Sequence, residues 1–195
     1  VCHRALEHFS GKLAGEGLDW TQVSEELRCR YIDESVEEAI ADYENSVLYS
    51  SARNEYLIVR MKRMLERTVW ALSKQLAAGD FRPAAYELRF AEGKIDRVDD
   101  CEDGDRIYVK VMDYKTGSKA FDMVALYHGL QMQLMVYLNA AVKWEKERHP
   151  KKEIVPAGVF YYRIQDPFVE APTEKEEVET LLLKELKPDG MINLQ

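Results

Sequence analysis

Three runs decide the fold: Ala85-Tyr86-Glu87-Leu88-Arg89-Phe90, Gly93-Lys94-Ile95-Asp96-Arg97-Val98 and Arg106-Ile107-Tyr108-Val109-Lys110-Val111-Met112-Asp113-Tyr114. Each alternates in the manner of a strand with one buried face. The acidic run Asp99-Asp100-Cys101-Glu102-Asp103-Gly104-Asp105 between the second and third reads as a turn, so the sequence predicts a hairpin. With the reversal at Asp103-Gly104, Val111 lies opposite Asp96 and Asp113 opposite Lys94. Asp96 and Asp113 are then diagonal neighbours on one face. Lys115, two residues beyond Asp113, shares that face, and Arg97 points to the other, as a structural or phosphate-facing group.

Working outward, residues 122–148 read as one long helix with Leu126, Leu130, Leu134, Val136, Tyr137, Leu138 and Val142 packed into its length. A strand over 157–164 follows, bounded by Pro156 and Pro167. A last helix opens at Pro172 with the capping box Thr173-x-x-Glu176 and turns Val178, Leu181, Leu182 and Leu186 inward. Upstream, the first eighty residues hold no proline and read as three helices. Leu6, Phe9 and Leu13 mark the first, which stops at Gly15-Glu16-Gly17. Thr21 caps the second, which runs past Val36 and Ile40. The third, over 54–76, lines up Leu57, Met61, Met64, Leu65, Val69 and Leu72. Helices followed by β-β-β-α-β-α predict an α/β core over 81–195 behind a helical N-terminal layer over 1–80. No linker divides them, so 1–195 reads as one domain.

The composition excludes other classes. With 46% hydrophobic and 32% charged residues, 10 Gly and 6 Pro in 195 residues, the chain is neither disordered nor collagen-like. Its 27 basic and 35 acidic residues give a net charge of -8, so it has no general attraction for phosphate backbones. Nucleic acid would be met locally, or with a partner supplying the positive field. Cys2, Cys29 and Cys101 lack Cys-x-x-Cys spacing and read as free thiols in a reducing compartment. The longest uncharged run, Met123 to Val142, carries His128, Gln131, Gln133 and Asn139 and predicts no membrane span. The chain begins at Val1 without Met, and the expectation is a fragment of something longer.

Two carboxylates and an ammonium converging at a sheet end suit Mg²⁺, which binds through one or two acids plus substrate phosphate oxygens. The lysine can activate water or neutralise charge on a scissile phosphate. These are the parts of phosphodiester hydrolysis. A calcium loop does not fit: a start at Asp99 puts Cys101 third and Lys110 twelfth, where an EF-hand requires a bidentate Glu.

Gly93-Lys94-Ile95-Asp96-Arg97-Val98-Asp99, Asp113-Tyr114-Lys115-Thr116-Gly117, Gln133-x-x-x-Tyr137 and His3 in Cys2-His3-Arg4-Ala5-Leu6-Glu7 resemble the motifs of the RecB-type branch of the PD-(D/E)XK nuclease superfamily. The segments 127–134 and 156–167 narrow the resemblance to the C-terminal nuclease domains of AddB-type subunits of bacterial AddAB helicase-nucleases. It covers His3 to about Asn193. The resemblance implies a restriction-endonuclease-like mixed sheet flanked by helices. It implies metal ligation (Mg²⁺ or Mn²⁺) by His3, Asp96, Asp113 and the backbone carbonyl of Tyr114, with Lys115 as catalytic lysine and Glu87 as the acid on the preceding strand. Gln133 and Tyr137, one turn apart, would contact DNA or the lysine.

The implied activity is that of a deoxyribonuclease, an exonuclease acting on single-stranded DNA unwound by a helicase. Its setting would be double-strand break repair by recombination in the bacterial cytoplasm, with an AddA-like helicase-nuclease as partner. A catalytically silent docking module and a stand-alone phage or CRISPR-associated exonuclease are the alternatives. Relatives of this type hold an iron-sulfur cluster through four cysteines, whose places none of the three cysteines here takes. The junction from Phe90 to Gly93 is also short where relatives have an insert.

Overall fold

A computed structural model describes residues 1–42, 52–91, 93–117, 120–170 and 175–193. Two compact units emerge: a helical unit, Val1–Gly79 with Ile164–Leu186, and a sheet unit, Asp80–Arg163 with Lys187–Gln195.

The helical unit contains α1 (Cys2–Gly15), α2 (Glu25–Asp42), α3 (Ala52–Ala77) and a later helix over Lys175–Glu185. Leu6, Phe9 and Leu13 of α1 are buried as the periodicity predicts, and the Phe9 ring meets Trp20 edge-on at 5.2 Å. Between α1 and α2, Arg4 and His8 bond to Asp42 while Lys12 reaches Glu38 and Glu34. Thr21 is not the cap of α2. It belongs to a 3₁₀ turn capped by Asp19, and Ser24 Oγ takes the Leu27 N–H at 3.2 Å where α2 begins. On α3 the buried stripe is Ile58, Leu65, Val69, Leu72 and Leu76, and Leu57 is exposed, one position off that stripe. Leu182 of the last helix and Leu186, just past its end, are buried four residues apart, which leaves Leu181 outside. Pro172 and Thr173 of the expected capping box lie outside the described residues.

The sheet unit is built on β1 (Arg82–Phe90), β2 (Gly93–Asp103), β3 (Arg106–Lys115), β4 (Glu153–Arg163) and β5 (Asp189–Ile192), in the spatial order β1-β2-β3-β4-β5. The β3–β4 pair is parallel and the other pairs antiparallel, so the sheet is mixed, as the fold class anticipated. The parallel pair needs a crossover, and α4 (Met123–Tyr127) and α5 (Gln133–Arg148) supply it. Between β4 and β5 the chain forms α6, the helix of Lys175–Glu185. Leu134 and Ala141 of α5 pack on Val98, Val109, Val111 and Val159 to form the core of the sheet unit.

Three expectations need correction here. The acidic run is strand as far as Asp103, and the chain reverses one residue later, at Gly104-Asp105, with Asp103 paired to Arg106. Gly104 takes φ +58 at the first central position, the conformation a glycine supplies without penalty. The predicted single helix over 122–148 is broken after Tyr127. Gly129, at φ +75, lets its own N–H reach Leu126 O and the Leu130 N–H reach Ala125 O, a Schellman ending. Leu130 and Val136 are consequently exposed rather than packed. Finally, β5 was not foreseen. Its Gly190 lies so close to β4 that a Cβ there would stand 2.0 Å from Val159 O.

Candidate active site

Neighbouring strands bring three carboxylates together. Tyr86 pairs with Arg97 and Leu88 with Ile95, so Glu87 stands across the ladder from Asp96. Arg97 pairs with Met112, and the next step of that register sets Asp96 across from Asp113. The shifted reversal thus makes Asp96 and Asp113 direct rather than diagonal neighbours. The side chains of all three acids are buried: 6% and 4% of those of Glu87 and Asp113 are exposed, and Asp96 as a whole is 7% exposed. A carboxylate oxygen of Glu87 and one of Asp96 lie within 4.8 Å of each other.

Buried carboxylates are retained only with partners. Glu87 is ion-paired with Lys94 and Asp113 with Lys115. The Tyr114 N–H donates to Asp96 Oδ2 at 2.7 Å. Lys115 also lies over the Tyr161 ring, 5.4 Å from its centroid. Three acids against two lysines leave the set one charge negative, and its donors are all hard oxygens. That donor set fits a divalent cation of the Mg²⁺ or Mn²⁺ kind.

Glu87 has φ +50, and it is the one non-glycine residue with positive φ among those described. A left-handed backbone costs a residue bearing a Cβ about 1–2 kcal/mol. Such strain is kept where a side chain must be aimed, as at functional sites.

Gln133 and Tyr137 share a face of α5 as expected. Gln133 Nε2 donates to the Tyr137 hydroxyl at 2.7 Å, and the Tyr137 ring meets Phe90 edge-on at 5.7 Å. His3 belongs to the first turn of α1 in the helical unit and is half-buried. Arg97 does not face phosphate. It is 1% exposed and forks onto Asp99 at 2.5 and 2.9 Å.

Compared with protein families, residues 1–189 match the PD-(D/E)XK nuclease superfamily. The chain belongs to that superfamily. Among curated proteins it is similar to AddB, a subunit of the ATP-dependent helicase/deoxyribonuclease, of Lachnoclostridium phytofermentans, 43% identical over 199 residues that cover 98% of this chain and 17% of the relative. The corresponding AddB proteins of Alkaliphilus metalliredigens (37%) and Clostridioides difficile (33%) each match 97% of this chain and 18% of their own length. The chain therefore spans less than a fifth of these relatives. The resemblance to AddB-type nuclease domains holds.

PD-(D/E)XK nucleases use divalent metals, in agreement with the donor set in the sheet unit. Two features of this superfamily member escaped the sequence reading. Lys94 is the partner of Glu87, and the backbone of Glu87 is left-handed. The first depends on the register of β1 against β2, which the sequence alone did not set. The second leaves no trace, because Glu is not a residue that announces positive φ.

Proposed function

We propose that this chain is a divalent-metal-dependent deoxyribonuclease domain that hydrolyses phosphodiester bonds of single-stranded DNA, by exonucleolytic action. The observation that carries this reading is the row Glu87, Asp96 and Asp113, buried on adjacent strands with Lys115 paired to the last. Asp96 and Asp113 would hold Mg²⁺ or Mn²⁺ together with the Tyr114 carbonyl, and family resemblance adds His3 as a further ligand. The ion, when bound, supplies Lewis-acid stabilisation of charge on the scissile phosphate. Glu87 sets the charge beside Asp96. Lys115 places an ammonium where negative charge develops and helps a water lose its proton. Water attacks phosphorus in line, the P–O3′ bond breaks, and the products carry 5′-phosphate and 3′-hydroxyl ends. Gln133 and Tyr137 would position the strand.

The names of the helicase/deoxyribonuclease relatives support a setting beside an ATP-dependent helicase and a further subunit. The family resemblance extends this reading to an AddA-like partner that delivers unwound DNA during recombinational repair of double-strand breaks in the bacterial cytoplasm. The test is cleavage of an end-labelled single-stranded oligonucleotide with Mg²⁺ or Mn²⁺, with chelator as control, using the wild type, Asp113→Ala and Lys115→Ala. Metal-dependent products in the wild type alone support the reading. Equal cleavage by either variant overturns the assignment.

A further inference from the structure

A groove of about 530 Å³ lies in the sheet unit between the end of β1 and α5, lined by Arg89 and Phe90 on one side and by Val136, Asn139, Lys143 and Trp144 on the other. We propose that this groove is a subsite for single-stranded DNA, holding nucleotides adjacent to the scissile phosphate. The proposal rests on the nuclease reading above and extends it to where the strand runs.

Three observations converge on it. The first is continuity with the acids. Arg89 lies two residues, about 7 Å of strand, beyond Glu87. Phe90 touches the Tyr137 ring, whose hydroxyl is bonded to Gln133. Lys143 and Trp144 sit about two turns, ~10 Å, further along the same helix.

The second is charge. In a chain of net charge -8, this groove carries Arg89 and Lys143, both exposed and neither ion-paired to another described residue. Glu147 is the acid on the described wall.

The third is surface chemistry. Phe90, Trp144 and Val136 offer aromatic and apolar surface, which suits base faces that a duplex keeps stacked away. The volume falls among small-ligand clefts, about 300–1,000 Å³, which suits one or two nucleotides and not a double helix.

The deciding measurement is binding of fluorescein-labelled oligo(dT) to the full chain in chelator, where no cleavage occurs, followed by anisotropy across a salt series. The variants are Arg89→Ala/Lys143→Ala and, as a control elsewhere on the sheet unit, Lys151→Ala. The double variant is expected to bind about tenfold more weakly, with a salt slope shallower by about 1.4 for two lost phosphate contacts on a single strand. Lys151→Ala should match the wild type. Photocrosslinking of an iodouracil-containing oligonucleotide should also mark Phe90 or Trp144. Wild-type affinity and slope in the double variant, or adducts confined to other regions, would overturn the subsite. Hydrolysis of bis(p-nitrophenyl) phosphate by the wild type, too small to need the groove, reports separately on the nuclease reading. Its failure with groove binding intact would remove the catalysis and keep the subsite.

Discussion

Asp96 and Tyr114 are joined by a hydrogen bond of 2.7 Å in which the Tyr114 N–H donates to Asp96 Oδ2. The bond ties β2 to β3 beyond their last ladder pair, Arg97 with Met112. It also holds the Asp96 carboxylate beside Glu87, so one contact links the sheet's register to the geometry of the acids.

That double role separates two substitutions. Asp96→Asn keeps an acceptor for the Tyr114 N–H and loses the charge, whereas Asp96→Ala leaves a buried donor unmet, at about 1–3 kcal/mol. The expected result is a urea midpoint near wild type for Asn and clearly lower for Ala, with Mn²⁺ binding by calorimetry lost in both. Undiminished Mn²⁺ binding in the Asn variant would show that Asp96 is no ligand.

On the neighbouring position the energetics are structural. Arg97 and Asp99 form a buried bidentate pair; burial by itself lowers the Arg97 pKa, but the attraction of Asp99, with Tyr114 and Tyr86, outweighs it and holds the guanidinium protonated well above its ordinary range. Asp99→Ala strands that charge and should lower stability by about 3–5 kcal/mol. The joint change Arg97→Met/Asp99→Leu should restore part of it, because the guanidinium's desolvation penalty goes with the pair while Lys110, 3.3 Å from Asp99, loses its partner. Denaturation of the three proteins checks this, and a double variant no better than Asp99→Ala would refute it.

The sequence made the strands, the helical N-terminal region and the pairing of an acid with a lysine at Asp113 and Lys115 legible, because all three follow from local periodicity. What it concealed was non-local or conformational. The hairpin's centre depended on which residue of Asp103-Gly104-Asp105 takes positive φ, a one-residue question that moves every cross-strand partner. The break at Gly129 lay inside an unbroken apolar pattern, and β5 exists because two backbones meet at Gly190, which no propensity in Asp189-Gly190-Met191-Ile192 reports. For the candidate site, the convergence of Asp96, Asp113 and Lys115 on one face could be read from spacing, while Lys94 and the left-handed Glu87 required the register itself.

Glu145 predicts a pH dependence. Its side chain is buried in the last turn of α5, and burial raises its pKa despite Arg148 at 2.7 Å and His149 at 3.6 Å. A raised folded-state value means the folded chain holds the proton more tightly than the unfolded one. The associated stability is present below the ordinary value of 4.5 and is lost as pH rises through the folded value. Glu145→Gln removes the titration, so the wild type should lose stability relative to the variant as pH rises from about 4.5 towards neutrality. Melting temperatures of both proteins across that range measure it. A difference that stays constant with pH would show that burial does not govern this carboxyl.

The strained backbone of Glu87 yields the last prediction. In an ordinary strand glycine is less stable than alanine by about 0.5–1 kcal/mol, because it loses more freedom on folding. At φ +50 the order should reverse, since glycine alone escapes the left-handed penalty of about 1–2 kcal/mol. Both substitutions also remove a buried carboxylate and free Lys94 to reach water. Glu87→Gly should therefore melt above Glu87→Ala, and both should bind Mn²⁺ more weakly and cleave DNA more slowly than the wild type. Gly above Ala with activity lost would mean that the strain serves to aim the acid at the site. Ala above Gly would mean that the backbone relaxes out of the left-handed region once the side chain is gone, and that the ion pair with Lys94 is what holds it there.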